Sequence, residues 1–104
     1  MNWKDKNNTR LITAILATQT RDETERFLTD LMTPAEIEEF SKRLRAAELL
    51  SRSIKYSAIE EETGLSSTTV ARVSKFLKGK AGGYKTILRK LHHKTTNQSR
   101  RGLS

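Results

Sequence analysis

The chain has 104 residues, 35% of them hydrophobic, and a formal net charge of +8. That length bounds one domain with room for a short tail, and the absence of cysteine excludes a disulfide framework and thiolate chemistry. No apolar run approaches the ~18 residues of a membrane span, and MNWKDKNNTR at the start lacks the apolar stretch of a secretion signal, so a cytoplasmic protein without membrane contact is expected.

So little apolar content predicts a thin core, and small helical chains with thin cores commonly complete them by pairing with a second copy. Residues 9–18 read as a first helix, with Leu11, Ile12, Ile15 and Leu16 on a narrow apolar face and Trp3 ahead of it. Thr20 offers an N-cap and Glu23 completes a capping box, opening a second helix over residues 21–32. Phe27, Leu28, Leu31 and Met32 are its expected buried positions. Thr33-Pro34-Ala35-Glu36 is the clearest helix start, because threonine caps, proline fits the first helical position and glutamate closes the box. The third helix runs to about Ser53, with Ile37, Phe40, Leu44, Ala47 and Leu50 or Ile54 at helical spacing and Leu49 widening the stripe.

After a short connection, residues 57–77 read as a helix-turn-helix. Ser57 is the expected N-cap of its first helix, which ends at Thr63. Gly64 stands where the chain must leave that helix with positive φ. Ser66 or Ser67 caps the second helix, which continues to Leu77. Leu65, Val70, Val73 and Leu77 share one stripe, and Ile59 is placed to meet Val70 across the turn. Ser67, Thr68, Ala71, Arg72 and Lys75 fall on the opposite face. They are short or cationic, as a helix in a major groove requires: short side chains admit the backbone, and arginine forks onto guanine. Two ordinary helices joined by a glycine cap would share much of this pattern, and Glu60 departs from the small residue common at that place in such motifs. A basic turn, residues 78–83, leads into a last helix over residues 84–93. Residues 94–104 are polar and expected to form a disordered basic tail, leaving residues 1–93 as the domain.

Charge is segregated. Residues 1–33 sum to zero and residues 34–63 to −2, whereas residues 64–104 carry ten basic and no acidic side chains. The positive segment begins at the turn of the motif, and a polyanion is its natural partner. No enzyme site assembles. His92 and His93 are adjacent and point about 100° apart on a helix, without a cysteine or nearby carboxylate to complete a metal site. The Lys78–Gly83 turn lacks the spacing and hydroxyl of a phosphate-binding loop. No catalysis, metal or cofactor is expected.

LMTPAEIEEFSKRLRAAELL (residues 31–50) followed by TGLSSTTVARVSKFLK (residues 63–78) resembles the Trp repressor family, nearest its YerC/YecD-type branch. The Thr-Pro-x-Glu start, Arg43 and Arg45, and the Gly-x-x-x-x-Thr-Val-x-Arg run carry the likeness, which extends over residues 9–91. The resemblance implies an all-α fold of six helices in an intertwined homodimer. Helices one, two, three and six interlock, and helices four and five form the DNA-reading head. It also implies a candidate effector pocket, since the two arginines that sandwich tryptophan in the family match Arg43 and Arg72. The family's glycine after the second arginine is Val73 here, and a pocket serine is Phe76. Tryptophan is therefore not the expected ligand, and an unidentified small-molecule effector, or none, takes its place.

The expected function is that of a sequence-specific, dimeric transcriptional regulator of double-stranded DNA, a repressor rather than an activator. Ser67, Thr68, Ala71, Arg72 and Lys75 would face base edges or groove walls. Ser66 and Thr69 would cap the helix or touch phosphate. Lys78 and Lys80 would hold phosphate, joined by Lys85, Arg89 and Lys90 unless the last helix faces the dimer. Two readings from other classes stay open: nucleic-acid binding without sequence choice, and a helical adaptor whose basic face docks an acidic protein. Only six Phe, Trp and Tyr residues are present, which counts against stacking on single-stranded RNA.

Overall fold

The computed structural model contains six helices and, among the described residues, no strand: α1 Lys6–Ala17, α2 Arg21–Leu31, α3 Pro34–Ser51, α4 Tyr56–Thr63, α5 Ser67–Leu77 and α6 Gly83–Leu103. Residues 1–93 are described throughout, and the disordered basic tail expected over residues 94–104 falls outside them. The chain divides into two compact units, residues 1–38 and 39–104.

In the first unit α1 begins earlier than the expected Thr9. Asp5 is its N-cap, accepting the N–H groups of Asn7 and Asn8 at 3.0 and 3.3 Å, and the Thr9 hydroxyl instead donates to the Trp3 carbonyl at 2.8 Å. Thr20 caps α2 as expected, accepting the Glu23 N–H at 3.1 Å. Glu23 in turn takes the N–H of Gln19 at 2.9 Å, so the box closes one residue ahead of the cap. The helix stops at Leu31, because Met32 is extended. The Thr33–Glu36 box is complete: Thr33 Oγ1 accepts the Glu36 N–H at 3.1 Å, and Glu36 Oε1 accepts the Thr33 N–H at 3.0 Å.

Neither α1 nor α2 has a buried residue. The expected burial of Phe27, Leu28, Leu31 and Met32 does not occur within one chain. Leu31 is exposed and the other three are half-buried. Leu11, Ile12, Ile15 and Leu16 are exposed as well, Leu16 at 78%. An amphipathic stripe records where apolar groups lie on a helix, and burial needs a further surface to cover it.

In the second unit α3 ends at Ser51, two residues before the expected stop. Ser53 has φ 62°, a left-handed conformation. The Ser53 N–H bonds to the Leu50 carbonyl at 3.0 Å and the Ile54 N–H to the Leu49 carbonyl at 3.1 Å, the paired closure of a Schellman motif. α4 then starts at Tyr56 with Lys55 at its N-cap and no side-chain cap bond. The Ser57 cap is thus corrected. The Lys55 carbonyl already accepts the Ile59 N–H at 3.1 Å, which places Ser57 inside the first turn.

The core of this unit joins Ala46, Ala47 and Leu49 of α3 to Ile59 of α4, Leu65 of the turn, and Val70 and Val73 of α5. Leu50, Tyr84 and Leu88 pack against it. Ala46 and Ala47 are fully buried in this cluster. Ile59 and Val70 are the largest fully buried side chains, each contributing about 1.5–3 kcal/mol by burial. The expected stripe of α3 is only partly covered: Phe40 and Ile54 are exposed, and Leu44 and Leu50 half-buried.

Candidate nucleic-acid interface

The α4–α5 head is built by local chemistry. Gly64 has φ 75° and its N–H closes α4 on the Glu60 carbonyl at 2.8 Å. A Cβ there would meet nothing within 4 Å, so the requirement for glycine is conformational and not spatial. The buried Thr63 hydroxyl donates to the Ile59 carbonyl at 2.7 Å and accepts the Leu65 N–H at 3.2 Å, bridging the turn. Ser66 is the cap of α5. Its Oγ accepts the Thr69 N–H at 3.2 Å and donates to Thr69 Oγ1 at 3.0 Å.

α5 has two faces. Val70, Val73, Ser74 and Leu77 are buried. Ser67, Thr68, Ala71, Arg72 and Lys75 are all exposed, on the side away from the core. Lys78 and Lys80 are exposed just beyond the helix, as are Lys85, Arg89 and Lys90 on α6. Ser66 and Thr69 bond to each other, with Ser66 exposed and Thr69 half-buried. The face offers short hydroxyl and methyl groups around a guanidinium and an ammonium, and cations follow it in sequence. Arg72 forms no ion pair among the described residues.

The two arginines of the candidate effector pocket keep separate company. Arg43 on α3 is half-buried. Its Nε donates to Glu39 Oε1 at 3.2 Å, and its guanidinium carbon lies 5.6 Å from the centre of the Phe40 ring. Arg72 is on α5, where Phe76 stands four residues on and is 58% exposed. Thr69, Arg72 and Phe76 fall along one edge of the helix.

The geometry also contains a bond that no local pattern reveals. Arg45 Nε donates to Glu62 Oε2 at 2.8 Å, tying α3 to α4. The Glu62 hydrogen bond and charge raise the Arg45 pKa above its ordinary value. Seventeen residues separate the two, so neither helical periodicity nor capping signals could have found the pair.

The sequence profile of the Trp repressor protein family matches residues 6–92. The chain belongs to the Trp repressor family. This is a family of DNA-binding regulators. The chain is 32% identical to the YerC protein of Bacillus subtilis over 96 residues, 92% of each chain. Among solved structures, a TrpR-like protein from Eubacterium eligens superposes with a TM-score of 0.82 at 32% identity, covering 86% of this chain and 93% of that one. A candidate Trp repressor from Staphylococcus aureus does so with a TM-score of 0.81 at 32% identity, covering 88% and 95%. The six-helix order read from the sequence is the fold of these relatives. Against the family pattern, Val73 is 2% exposed and belongs to the core cluster, while Phe76 lies outside it. Among the described residues, no helix is long and apolar enough to cross a membrane.

Proposed function

We propose that the chain is a sequence-specific transcriptional regulator that binds double-stranded DNA as a homodimer, with α5 in the major groove and repression by occupancy as its output. The observation that carries this is the division of α5. Val70, Val73, Ser74 and Leu77 anchor one face in the core, and Ser67, Thr68, Ala71, Arg72 and Lys75 stand free on the other. Arg72 is the base reader in this arrangement, able to fork onto guanine O6 and N7. Lys75 lines the groove, and Lys78 and Lys80 hold phosphates. Segregation of positive charge to residues 64–104 supports a polyanionic partner.

Exposed apolar side chains on α1, α2, α3 and α6 support the dimer. Leu11, Ile12, Ile15 and Leu16 are four exposed apolar side chains at helical spacing on α1, and Leu31 on α2, Phe40 on α3 and Leu91 on α6 are exposed as well. Two heads related by a two-fold axis read half-sites about one helical turn, ~34 Å, apart. Val73 bears on the effector. Its branched side chain lies in the core at the place where the family pattern has glycine, which supports a regulator that does not use tryptophan.

Selection of random duplex DNA by the purified chain at near-physiological salt tests the reading. Enrichment of one palindromic motif, lost in Arg72→Ala and Thr68→Ala, is the expected result. Strong retention without a motif would replace specific reading by architectural binding. No retention, with and without added cell metabolites, would overturn the DNA-binding function.

A further inference from the structure

Glu60, Glu61 and Glu62 are three consecutive acids placed directly before a segment that contains none. On a head that approaches phosphate, negative charge works against binding. The DNA-reading arrangement gives these residues no task, yet the geometry gives one to Glu62.

Arg21–Glu25, Arg26–Asp22 and Arg43–Glu39 are ion pairs at i,i+4 spacing within single helices. Arg45–Glu62 instead joins two helices, at 2.8 Å. Both ends sit at the joint between α3 and the head. Arg45 directly precedes Ala46 and Ala47, which are fully buried in the cluster they share with Ile59, Leu65, Val70 and Val73. Glu62 directly precedes Thr63, whose hydroxyl bridges the turn into Leu65. Alanine side chains are too short to build the ridges that would resist rotation. A directional, charge-assisted bond beside them supplies that resistance.

We propose that Arg45 and Glu62 form a positioning pair that sets the angle of the α4–α5 head on α3, and with it the direction in which the reading face of α5 points. The consequence for DNA rests on the function proposed above, whereas the angular role itself does not. Both side chains are about half exposed, 44% and 50%. Such pairs add little to global stability and weaken with salt. The pair therefore acts on orientation more than on folding.

The idea separates from simple electrostatics by sign. Glu62→Gln removes a negative charge near a polyanion, which by charge alone tightens DNA binding. Loss of a positioning pair loosens it, and only for the sequence that demands a defined head angle.

The test has two arms. In the free protein, residual dipolar couplings of the α3, α4 and α5 amides report head orientation. Glu62→Gln is expected to turn α4 and α5 together relative to α3, and the charge exchange Arg45→Glu with Glu62→Arg to restore it. An unchanged orientation in Glu62→Gln overturns the proposal. In the second arm the probes are the duplex enriched by selection and a scrambled duplex of equal length. Glu62→Gln is expected to weaken the enriched duplex by roughly fivefold, the scale of one exposed ion pair. The scrambled duplex should bind as tightly as before or tighter, because only the charge effect acts there, and the exchange should bring affinity for the enriched duplex back. Equal or tighter binding of the enriched duplex by Glu62→Gln also overturns it. If selection enriches nothing, the DNA-binding function fails while the first arm still decides the pair.

Discussion

Ser66 Oγ accepts the Thr69 N–H at 3.2 Å and donates to the Thr69 hydroxyl at 3.0 Å, so two residues of the candidate interface are spent on starting the helix that carries it. Ser66→Ala is expected to cost about 1 kcal/mol in a urea melt, the usual value of an N-cap. Ser66→Asp makes a sharper test. Aspartate caps as well as serine, so stability should hold, but it sets a negative charge at the DNA face. Affinity for any duplex should fall while the melt is unchanged.

Gly64 and Ser53, two of the left-handed residues of the second unit, predict opposite effects. Gly64 at φ 75° has open space around a would-be Cβ. Gly64→Ala therefore measures conformational strain alone, about 1–2 kcal/mol of destabilisation. Ser53 already bears that strain at φ 62°. Ser53→Gly should stabilise the protein by about 0.5–1 kcal/mol, less than the full strain because glycine also frees the unfolded chain. Chemical denaturation of the two variants checks both signs.

Arg72→Ala should cost about 1–3 kcal/mol on the selected duplex and relax preference at one base position. Lys78→Ala and Lys80→Ala should instead weaken all duplexes alike, each lowering the slope of log affinity against log salt by about 1. Binding titrations at several salt concentrations separate a base reader from phosphate contacts.

The Glu36 carboxyl is held below its ordinary range, first by the Thr33 backbone N–H and then by the Thr33 side chain. A folded value below the unfolded one adds stability that is fully present above the ordinary carboxylate pKa, ~4.3, and is lost as pH falls through the lowered value. Glu36→Gln keeps the capping geometry and cannot titrate. Melts at about pH 7 and about pH 3 should show the wild type losing more stability than the variant on acidification.

The proposed dimer and the proposed indifference to tryptophan are checked together. Sedimentation should find twice the chain mass at micromolar concentration, and Leu16→Glu, which charges an exposed apolar position on α1, should reduce it to one. Titration calorimetry with tryptophan should give no stoichiometric heat, because Val73, a core residue, stands where the family pattern has glycine. A micromolar tryptophan site would overturn that reading.

Much of the fold follows from contacts within four residues. The Thr33–Glu36 box, the Thr20 cap, the Gly64 turn and the two faces of α5 were all legible in one dimension, because caps, glycine dihedrals and helical spacing are local properties. Even there, Asp5 and Lys55 displaced the expected starts of α1 and α4, since a nearby side chain or carbonyl took the first bond. What the chain order could not supply was what covers what. The stripe Leu11, Ile12, Ile15 and Leu16 reads as core, yet it stays exposed in a single chain. Ala46, unremarkable in sequence, is fully buried in a cluster with residues of α4 and α5. Arg45 and Glu62 meet across seventeen residues. Burial and long-range pairing depend on which surfaces the folded chain brings together, and periodicity carries no record of the surface opposite.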